Sequence, residues 1–290
     1  MKFGVFTVST PEYDLEETAA LLKELGYDGV EWRIQDMPKE EPADIPFELR
    51  YWKYNKSTID TAQILHMAEP VRDLCAQYGI EIFCLTTYLQ PAQPEEVEPV
   101  LKAAQIMGVK MIRVFPPSYP DKNGKTVLDM ELETSKQIRI LEKMAKQYGV
   151  KVVFEIHMDN LMASPSAAYR LINGCDPEAI GLIFDPGNMV YEGFENYEKS
   201  FELLGPYIAH IHVKNGALVP DGRDELGAAK WKREWVPLKE GMANLRHFFE
   251  VLKANHYDGT VSVEDFSNQQ STKDKLADNL AYIKALEASV

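Results

Sequence analysis

The feature that most constrains the fold is a repeated unit of a strand followed by a helix. A short run of β-branched or aromatic residues, a polar or Gly/Pro break and a helix-length amphipathic stretch recur eight times. This alternation predicts parallel strands joined by right-handed crossovers, and eight units predict an α/β fold closed into a (β/α)8 TIM barrel. The strands are predicted at residues 3–8, 29–33, 80–86, 111–115, 152–157, 181–185, 208–214 and 260–266, and the helices at 15–25, 58–78, 95–107, 131–148, 166–173, 197–204, 245–255 and 273–287.

An open, doubly wound sheet is the alternative arrangement for alternating strands and helices. It usually carries a G-x-G-x-x-G sequence after an early strand, and this chain has none there. Several predicted helices end in a glycine, as in "ELGYDG" and "QYGIEIF", which supplies the left-handed conformation that closes a helix. With 290 residues and no linker or shift in composition, the chain is predicted to be a single domain over residues 1–290.

Charge and cysteine content restrict the partners and the compartment. The formal net charge of −14 repels phosphate backbones and anionic lipids, so neither nucleic acid nor a membrane is an expected partner. Cys75, Cys84 and Cys175 are few, odd in number and far apart, which argues against a disulfide framework. No leader pattern opens the sequence, and no window is long and apolar enough to span a bilayer. We therefore expect a cytoplasmic protein.

Three predicted connections are too long for plain turns. They cover residues 34–57, 116–130 and 215–243, and each follows the C-terminal end of a strand, the face where barrel enzymes carry their sites. One interpretation is that these connections are surface loops without a function. The other is a lid or a contact with another subunit, which would make the protein a homo-oligomer.

Ionisable residues collect near the C-terminal ends of the last four predicted strands. Because consecutive barrel strands are neighbours, their side chains are expected to converge at one mouth. A single strand-end carboxylate is more often a helix cap or an ion-pair partner, and a single histidine is more often a hydrogen-bonded core residue. The residues are Glu155 and His157 in "VVFEIH", Asp185 in "IFDPGN", His210 and His212 in "HIHVKN", and Glu264 in "VSVEDF".

Together these residues predict a metal site, because several buried charged groups without a cation would repel one another and lose solvation. The predicted ligands are Glu155, Asp185, His212 and Glu264, with His212 preferred over His210 because it lies nearer the end of its strand. Two Glu, one Asp and one imidazole form an oxygen-rich ligand set for one divalent ion. This set favours Mn²⁺, suits Mg²⁺ or Co²⁺, and is less typical of Zn²⁺.

Over essentially its whole length the chain resembles the xylose isomerase-like barrel superfamily, within the sugar phosphate isomerase/epimerase group. The resemblance rests on "GYDGVEW", "FEIH", "GLIFDPGNMV", "HIHVKN" and "WVPLKEGMANLRHFFEVLKANHYDGTVSVEDF". It implies that the same four positions, Glu155, Asp185, His212 and Glu264, hold the metal. It also implies that Glu31, in "GVEW", lines the substrate pocket.

Two positions depart from the pattern of the ketose 3-epimerases in this superfamily. Those enzymes usually carry a His three residues after the Asp, where this chain has Asn188. They also carry an Arg shortly after the strand-seven His, where this chain has Lys214 and Asn215. Lys214 shares the inward parity of His212, so it is a candidate for holding an oxyanion or phosphate or for acting as a base. Its plainer interpretation is a salt bridge to a nearby carboxylate.

Together with these residues, the resemblance implies a metal-dependent isomerase or epimerase acting on a polyhydroxy ketone or aldehyde, such as a sugar, a sugar phosphate or a cyclitol ketone, through an enediolate. Glu155 and Glu264, on strands either side of the metal, are the predicted acid/base pair. The predicted substrate contacts are His157, Asn188, Lys214, Glu31 and Arg113, and His157 is alternatively a residue that orients a metal ligand.

Three other functions compete with this interpretation. Expulsion of a β-substituent from the same enediolate would make the protein a dehydratase or lyase, as in the inosose dehydratases. An endonuclease IV-type repair enzyme needs a His-rich multi-zinc cluster and a basic face, whereas His66, His247 and His256 are predicted to lie away from the mouth. A non-catalytic binding barrel would have no need of the acidic cluster.

Overall fold

Eight parallel strands close into a barrel in this computed structural model, which describes residues 1–38 and 40–290. The barrel strands are β1 (Lys2–Phe6), β2 (Gly29–Ile34), β3 (Glu81–Thr87), β4 (Met111–Arg113), β5 (Lys151–Glu155), β6 (Ile180–Phe184), β7 (Ile208–Val213) and β10 (Thr260–Val263), and two further strands, β8 (Asn215–Arg223) and β9 (Ala229–Val236), form an antiparallel hairpin. Around the barrel the strands follow the order β1-β10-β7-β6-β5-β4-β3-β2, so the predicted (β/α)8 barrel is confirmed.

All eight predicted helices are present, with ends that differ by a few residues. The helices are α1 (Leu15–Leu25), α2 (Phe47–Lys53), α3 (Ile64–Tyr78), α4 (Pro94–Met107), α5 (Val127–Tyr148), α6 (Pro165–Ile172), α7 (Pro186–Met189), α8 (Tyr197–Leu204), α9 (Leu245–Ala254) and α10 (Thr272–Ser289). The glycines that follow α1, α3, α4 and α5 all adopt the left-handed conformation, as their sequence context predicts. Within the described part of the chain, no helix combines the length and apolarity needed to cross a membrane.

Towards the N-terminal ends of the barrel strands, one aromatic side chain packs directly against two glycines. Phe83 lies against Gly4 and Gly29, and a Cβ added at either glycine would lie within 2.5 Å of the Phe83 ring. Glycine is therefore required on the two neighbouring strands because no side chain fits there. Most of the remaining core lies outside the barrel, between the outward faces of the strands and the inward faces of the helices.

The third long connection is not an irregular loop. It forms the β8–β9 hairpin, which the sequence analysis missed because most of its side chains are exposed and show no apolar alternation. The first connection likewise contains α2, which was also missed. Several predicted strands end earlier than expected, since β5 ends at Glu155 and β10 at Val263 rather than at residues 157 and 266. The residues just beyond these strand ends lie at the mouth of the barrel.

Asn215 joins the base of the hairpin to the segment that follows it. Its amide nitrogen donates to the carbonyls of Leu238 (2.9 Å) and Ala243 (3.1 Å), and its oxygen accepts from the backbone N–H groups of Gly216 and Ala243. A Cβ at Gly241 would lie only 2.0 Å from the Asn215 oxygen, so the segment packs directly against this side chain. One buried amide therefore holds four backbone groups in place.

We predict that Asn215→Ala lowers the free energy of unfolding by about 2–4 kcal/mol, because it leaves buried backbone donors and acceptors without partners. Limited proteolysis should cut the variant faster within residues 224–228 than the parent protein. Asn173→Ala, at an exposed asparagine, is the matched control and should change stability by less than about 0.5 kcal/mol. Equal stability of the two variants in urea denaturation would contradict the anchoring role.

Candidate metal centre and its pocket

Four side chains from four adjacent strands meet at the C-terminal mouth of the barrel. Glu155 is the last residue of β5, Asp185 follows β6 directly, His212 lies in β7, and Glu264 follows β10 directly. One oxygen or nitrogen from each lies within 4.8 Å of one from every other, and all four residues are buried. The geometry thus brings together the set of donors that the sequence analysis selected.

The sequence "DPGN" explains how Asp185 presents one oxygen to this cluster. Its Oδ1 caps α7 by accepting hydrogen bonds from the N–H groups of Gly187 (2.9 Å) and Asn188 (3.0 Å), and Pro186 occupies the first helical position. Gly187 packs against the end of β7, where a Cβ would lie 2.5 Å from both the backbone oxygen and Cγ of Lys214. Asp185 Oδ2 is therefore left to face the other donors.

His212 is held by a carboxylate on each side of its ring. Its Nε2 lies 2.9 Å from Glu31 Oε2, whereas its Nδ1 faces Glu155 Oε1 (3.3 Å) and Asp185 Oδ2 (3.9 Å). Phe6 stacks on the ring with centroids 5.6 Å apart. If Nε2 carries the hydrogen and donates to Glu31, Nδ1 is free to bind an ion, which is a common arrangement for metal-binding histidines. Burial lowers the pKa of His212, but the two glutamates outweigh burial and raise it well above its usual value.

Glu31 lies beneath the cluster, inside the barrel, and not at the wall of the pocket. It is fully buried and contacts the ring nitrogens of both His210 (3.1 Å) and His212, and it accepts a hydrogen bond from Thr86. Burial raises its pKa, but the two histidines more than offset this effect and hold it well below its usual value. Glu31 therefore carries a negative charge that orients His212. His210 completes this lower layer through hydrogen bonds with the hydroxyls of Thr260 and Ser262.

Glu155 is fixed by groups on both of its oxygens. Arg113 donates to Oε2, and the Asn188 side chain donates to Oε1 at 3.0 Å. Burial raises the pKa of Glu155, but Arg113, His212 and Lys214 together hold it well below the usual value. Asn188 is buried and reaches Glu155 and the carbonyl of Ile156, so its contacts position the glutamate.

Lys214 places an ammonium group among the three carboxylates. Its Nζ contacts Glu264 Oε2 and lies 3.0 Å from Asp185 Oδ2 and 3.7 Å from Glu155 Oε1. The ammonium also lies 5.2 Å from the ring centre of Trp235. Burial lowers the pKa of Lys214, but the carboxylates outweigh this effect and raise it, so the side chain is positively charged at neutral pH. The salt bridge predicted for Lys214 is thus present in the structure.

The charges of the site fit a divalent cation. Four buried carboxylates, including Glu31, face two permanent cations, Arg113 and Lys214, which leaves two negative charges when the histidines are neutral. The excess of negative charge is evident at Asp185, because burial and the neighbouring glutamates raise its pKa to about 7 despite Lys214. Its Oδ2 faces the Lys214 ammonium at 3.0 Å but, among the described residues, accepts no hydrogen bond of good geometry. An additional positive charge at this atom would stabilise the cluster.

A pocket of about 170 Å³ opens beside the cluster. Of the predicted substrate contacts, Arg113, His157 and Lys214 line it, whereas Glu31 and Asn188 do not. The His157 ring packs edge-to-face on Phe115, and its Nδ1 lies 2.6 Å from the carbonyl of Met158. His66, His247 and His256 belong to neither of the two candidate ligand clusters found in the described part of the chain.

The apolar part of the pocket wall was not predicted from the sequence. Tyr88, Phe115 and Phe266 lie one to three residues beyond strand ends, so the same strand-end rule used for the carboxylates identifies them. Trp52 and Trp235 come from α2 and β9, the two missed elements, and no local pattern in the sequence indicates that they reach the mouth.

Comparisons with known proteins agree with this architecture. The chain is 28% identical over 177 residues to an inosose dehydratase of Clostridium perfringens, covering 54% of this chain and 58% of that protein. It is 29% identical over 154 residues to an inosose dehydratase of Mesomycoplasma hyopneumoniae, covering 51% of each protein. The chain thus spans about half the length of the curated relatives it matches.

Solved structures share the fold at low identity. The apo 3-keto-D-glucoside 4-epimerase of E. coli superposes with a TM-score of 0.71 at 18% identity, covering 98% of this chain and 99% of that one. The IOLI protein, solved with a bound zinc atom, superposes with a TM-score of 0.70 at 17% identity, covering 100% and 99% of the two chains. The probable 3-DHS dehydratase of Bacillus anthracis gives a TM-score of 0.69 at 19% identity, covering 98% and 99%.

The family model for xylose isomerase-like TIM barrels matches residues 19–286, which includes seven of the eight barrel strands and all four clustered donors. The resemblance read from the sequence motifs is therefore confirmed at the level of the family. This chain belongs to the xylose isomerase-like TIM barrel family.

Proposed function

We propose that the chain is a metal-dependent isomerase or epimerase that moves a proton next to the carbonyl of a small polyhydroxy ketone or aldehyde. The observation that carries the proposal is the pair Glu155 and Glu264. Both line one pocket, on strands separated by those that carry Asp185 and His212, and both belong to the buried four-donor cluster. Two carboxylates beside one small cavity are suited to removing and returning a proton.

Glu155, Asp185, His212 and Glu264 are the proposed metal ligands. Their oxygen-rich composition favours Mn²⁺, and Mg²⁺, Co²⁺ and Zn²⁺ also bind such sets. A divalent ion held there would act as a Lewis acid that polarises the substrate carbonyl and stabilises the negative charge of an enediolate.

The protein groups divide the remaining work of the reaction. Despite burial, Arg113 and Lys214 help to hold the pKa of Glu155 well below its usual value, so the carboxylate is ionised at neutral pH and able to accept a proton. Glu264 is the proposed site from which a proton returns to the substrate, and the Lys214 ammonium that contacts its carboxylate is the proposed source of that proton. Arg113 Nη2 is buried and has no hydrogen-bond partner among the described residues, so it is suited to bind a substrate oxygen, together with Lys214 and His157. Glu31 and Asn188 act by positioning His212 and Glu155.

A dehydratase on a keto-sugar or inosose is the second candidate. The inosose dehydratase relatives support it, and so does Lys214, whose ammonium lies beside Glu264 where it can donate a proton to a departing hydroxyl group. Elimination would break a carbon–oxygen bond next to the carbanion carbon, and the hydroxyl would leave as water with the proton supplied by the protein. A homo-oligomer, a single domain and a cytoplasmic location stay predictions from the sequence.

We predict that gently purified protein contains about one divalent ion per chain. Glu31→Gln should weaken metal binding about 10–100-fold, because the variant loses the carboxylate that orients His212. The bound metal is first removed with a chelator, and calorimetric titration with Mn²⁺ then measures the affinity of the protein for the ion. Glu178→Gln, at an exposed glutamate, is the control and should bind Mn²⁺ as the parent does. Unchanged affinity in Glu31→Gln would contradict the orienting role.

We predict that Glu155→Gln and Glu264→Gln each lower the exchange of the substrate's α-proton in D₂O by about 100-fold or more, because a neutral amide cannot accept or return the proton. Nuclear magnetic resonance of ketose and cyclitol-ketone panels measures this exchange. Circular dichroism and metal content are recorded for each variant, so that loss of fold or of the ion is recognised. Exchange retained in both variants would refute the assignment of the acid/base pair.

The mass of the product separates the two candidate reactions. Isomerisation or epimerisation conserves the mass of the substrate, and we expect this result from the proposed function. Loss of one water, detected by mass spectrometry, would instead establish the dehydratase. Lys214→Met should then lower the rate of elimination more strongly than the rate of α-proton exchange, because only elimination requires protonation of the leaving group.

A further inference from the structure

A second cavity adjoins the pocket and shares part of its wall. This groove of about 480 Å³ lies between α2, β9 and the segment of residues 266–269. Trp52, Trp235 and Phe266 line both the groove and the pocket. The two cavities therefore adjoin the same three aromatic side chains.

The pocket alone is small. Its volume of about 170 Å³ is close to that of a cavity of about 150 Å³ that holds one benzene ring. The cluster and pocket therefore accommodate one six-membered ring, and any larger substituent of that ring must extend beyond the pocket. The groove, almost three times as large, offers the space for it.

The surface of the groove suits an uncharged, polyhydroxylated ring. Trp52 is 41% exposed, and its ring centre lies 4.9 Å from that of Phe266, which gives a broad apolar floor. Asn268 and Gln269 provide polar groups along one side. Sugar rings combine apolar C–H faces with hydroxyl edges, which matches an aromatic floor with a polar rim.

The charges of the groove argue against an anionic substituent such as a phosphate. Arg233, the cationic residue of its wall, is paired with Asp159 at 2.7 Å. Glu48 and Glu234 line the same groove and would repel an anion. A neutral group is therefore the occupant that the wall favours.

We propose that the substrate is a glycoside with two rings, of which one reacts in the pocket and the second, a neutral sugar ring, stacks in the groove on Trp52 and Trp235. This inference rests on the proposed function for the reacting ring. The second ring supplies binding without taking part in the proton transfer.

The test compares one-ring and two-ring substrates of the same chemistry. The probes are methyl 3-oxo-β-D-glucoside and the 3-oxo derivatives of cellobiose and maltose, and the measurement is kcat/KM for α-proton exchange in D₂O. We expect one of the two-ring sugars to exceed the one-ring sugar by about tenfold or more, as stacking of one ring would provide. Leu49→Arg introduces a long charged side chain into the groove wall. It should lower the ratio of kcat/KM for the two-ring sugar to kcat/KM for the one-ring sugar about tenfold.

Leu65→Arg is the matched control, because Leu65 is 43% exposed against 37% for Leu49 and lines neither cavity. It should leave the ratio unchanged. Equal kcat/KM for one-ring and two-ring sugars in the parent protein, or an equal response of the two variants, would overturn the proposal.

Failure of the proposed function is recognised separately. If none of the three oxo-sugars exchanges its proton and no ketose or cyclitol ketone of the wider panels does so either, the proposed reaction is wrong. Whenever the oxo-sugars do not exchange, ligand binding is the measurement that tests the groove. Calorimetry with unreactive methyl β-D-glucoside, cellobiose and maltose measures this binding. Tighter binding of a two-ring sugar, abolished by Leu49→Arg, supports the groove, whereas two-ring sugars that bind no more tightly than the one-ring sugar overturn it.

Discussion

The burial of four carboxylates in one barrel is the constraint on which the arrangement of this site depends. Glu31, Glu155, Asp185 and Glu264 are each shielded from water, and such groups repel one another unless positive charge lies between them. Arg113 and Lys214 supply part of that charge, and the elevated pKa of Asp185 indicates that more is needed. A divalent cation at the mouth would complete the balance and would create the reactive centre.

The strand β7 organises this polar interior in layers. His210, His212 and Lys214 alternate with apolar residues, so all three face inward and successively contact the lower layer, the donor cluster and the mouth. The lower layer is tied across the barrel to Glu31 on β2, and the upper layer is tied to Asp185, which follows the neighbouring strand β6. The relative positions of the donors therefore follow from strand register.

The barrel and the clustering of the four donors were predictable from the sequence because both follow from strand positions. Alternation along a strand and the position of strand ends are local properties, and barrel closure brings neighbouring strand ends together. The positions of Glu31 and Asn188 were harder to predict. Both are polar residues in or near strands, and their sequence context does not show whether such a side chain lines the pocket or positions another residue of the site. Only their contacts with His212 and Glu155 make that distinction.

What the sequence by itself determined was the scaffold, the family and the chemical character of the mouth, since these depend on periodicity, strand-end residues and local motifs. The tertiary structure alone decided how the charges pair, that Lys214 lies among three carboxylates, and that Trp52 and Trp235 border the pocket. Those two tryptophans lie on a short helix and a hairpin that are far apart in sequence. Their approach depends on long-range packing, such as the anchoring of the hairpin by Asn215, which no local pattern encodes.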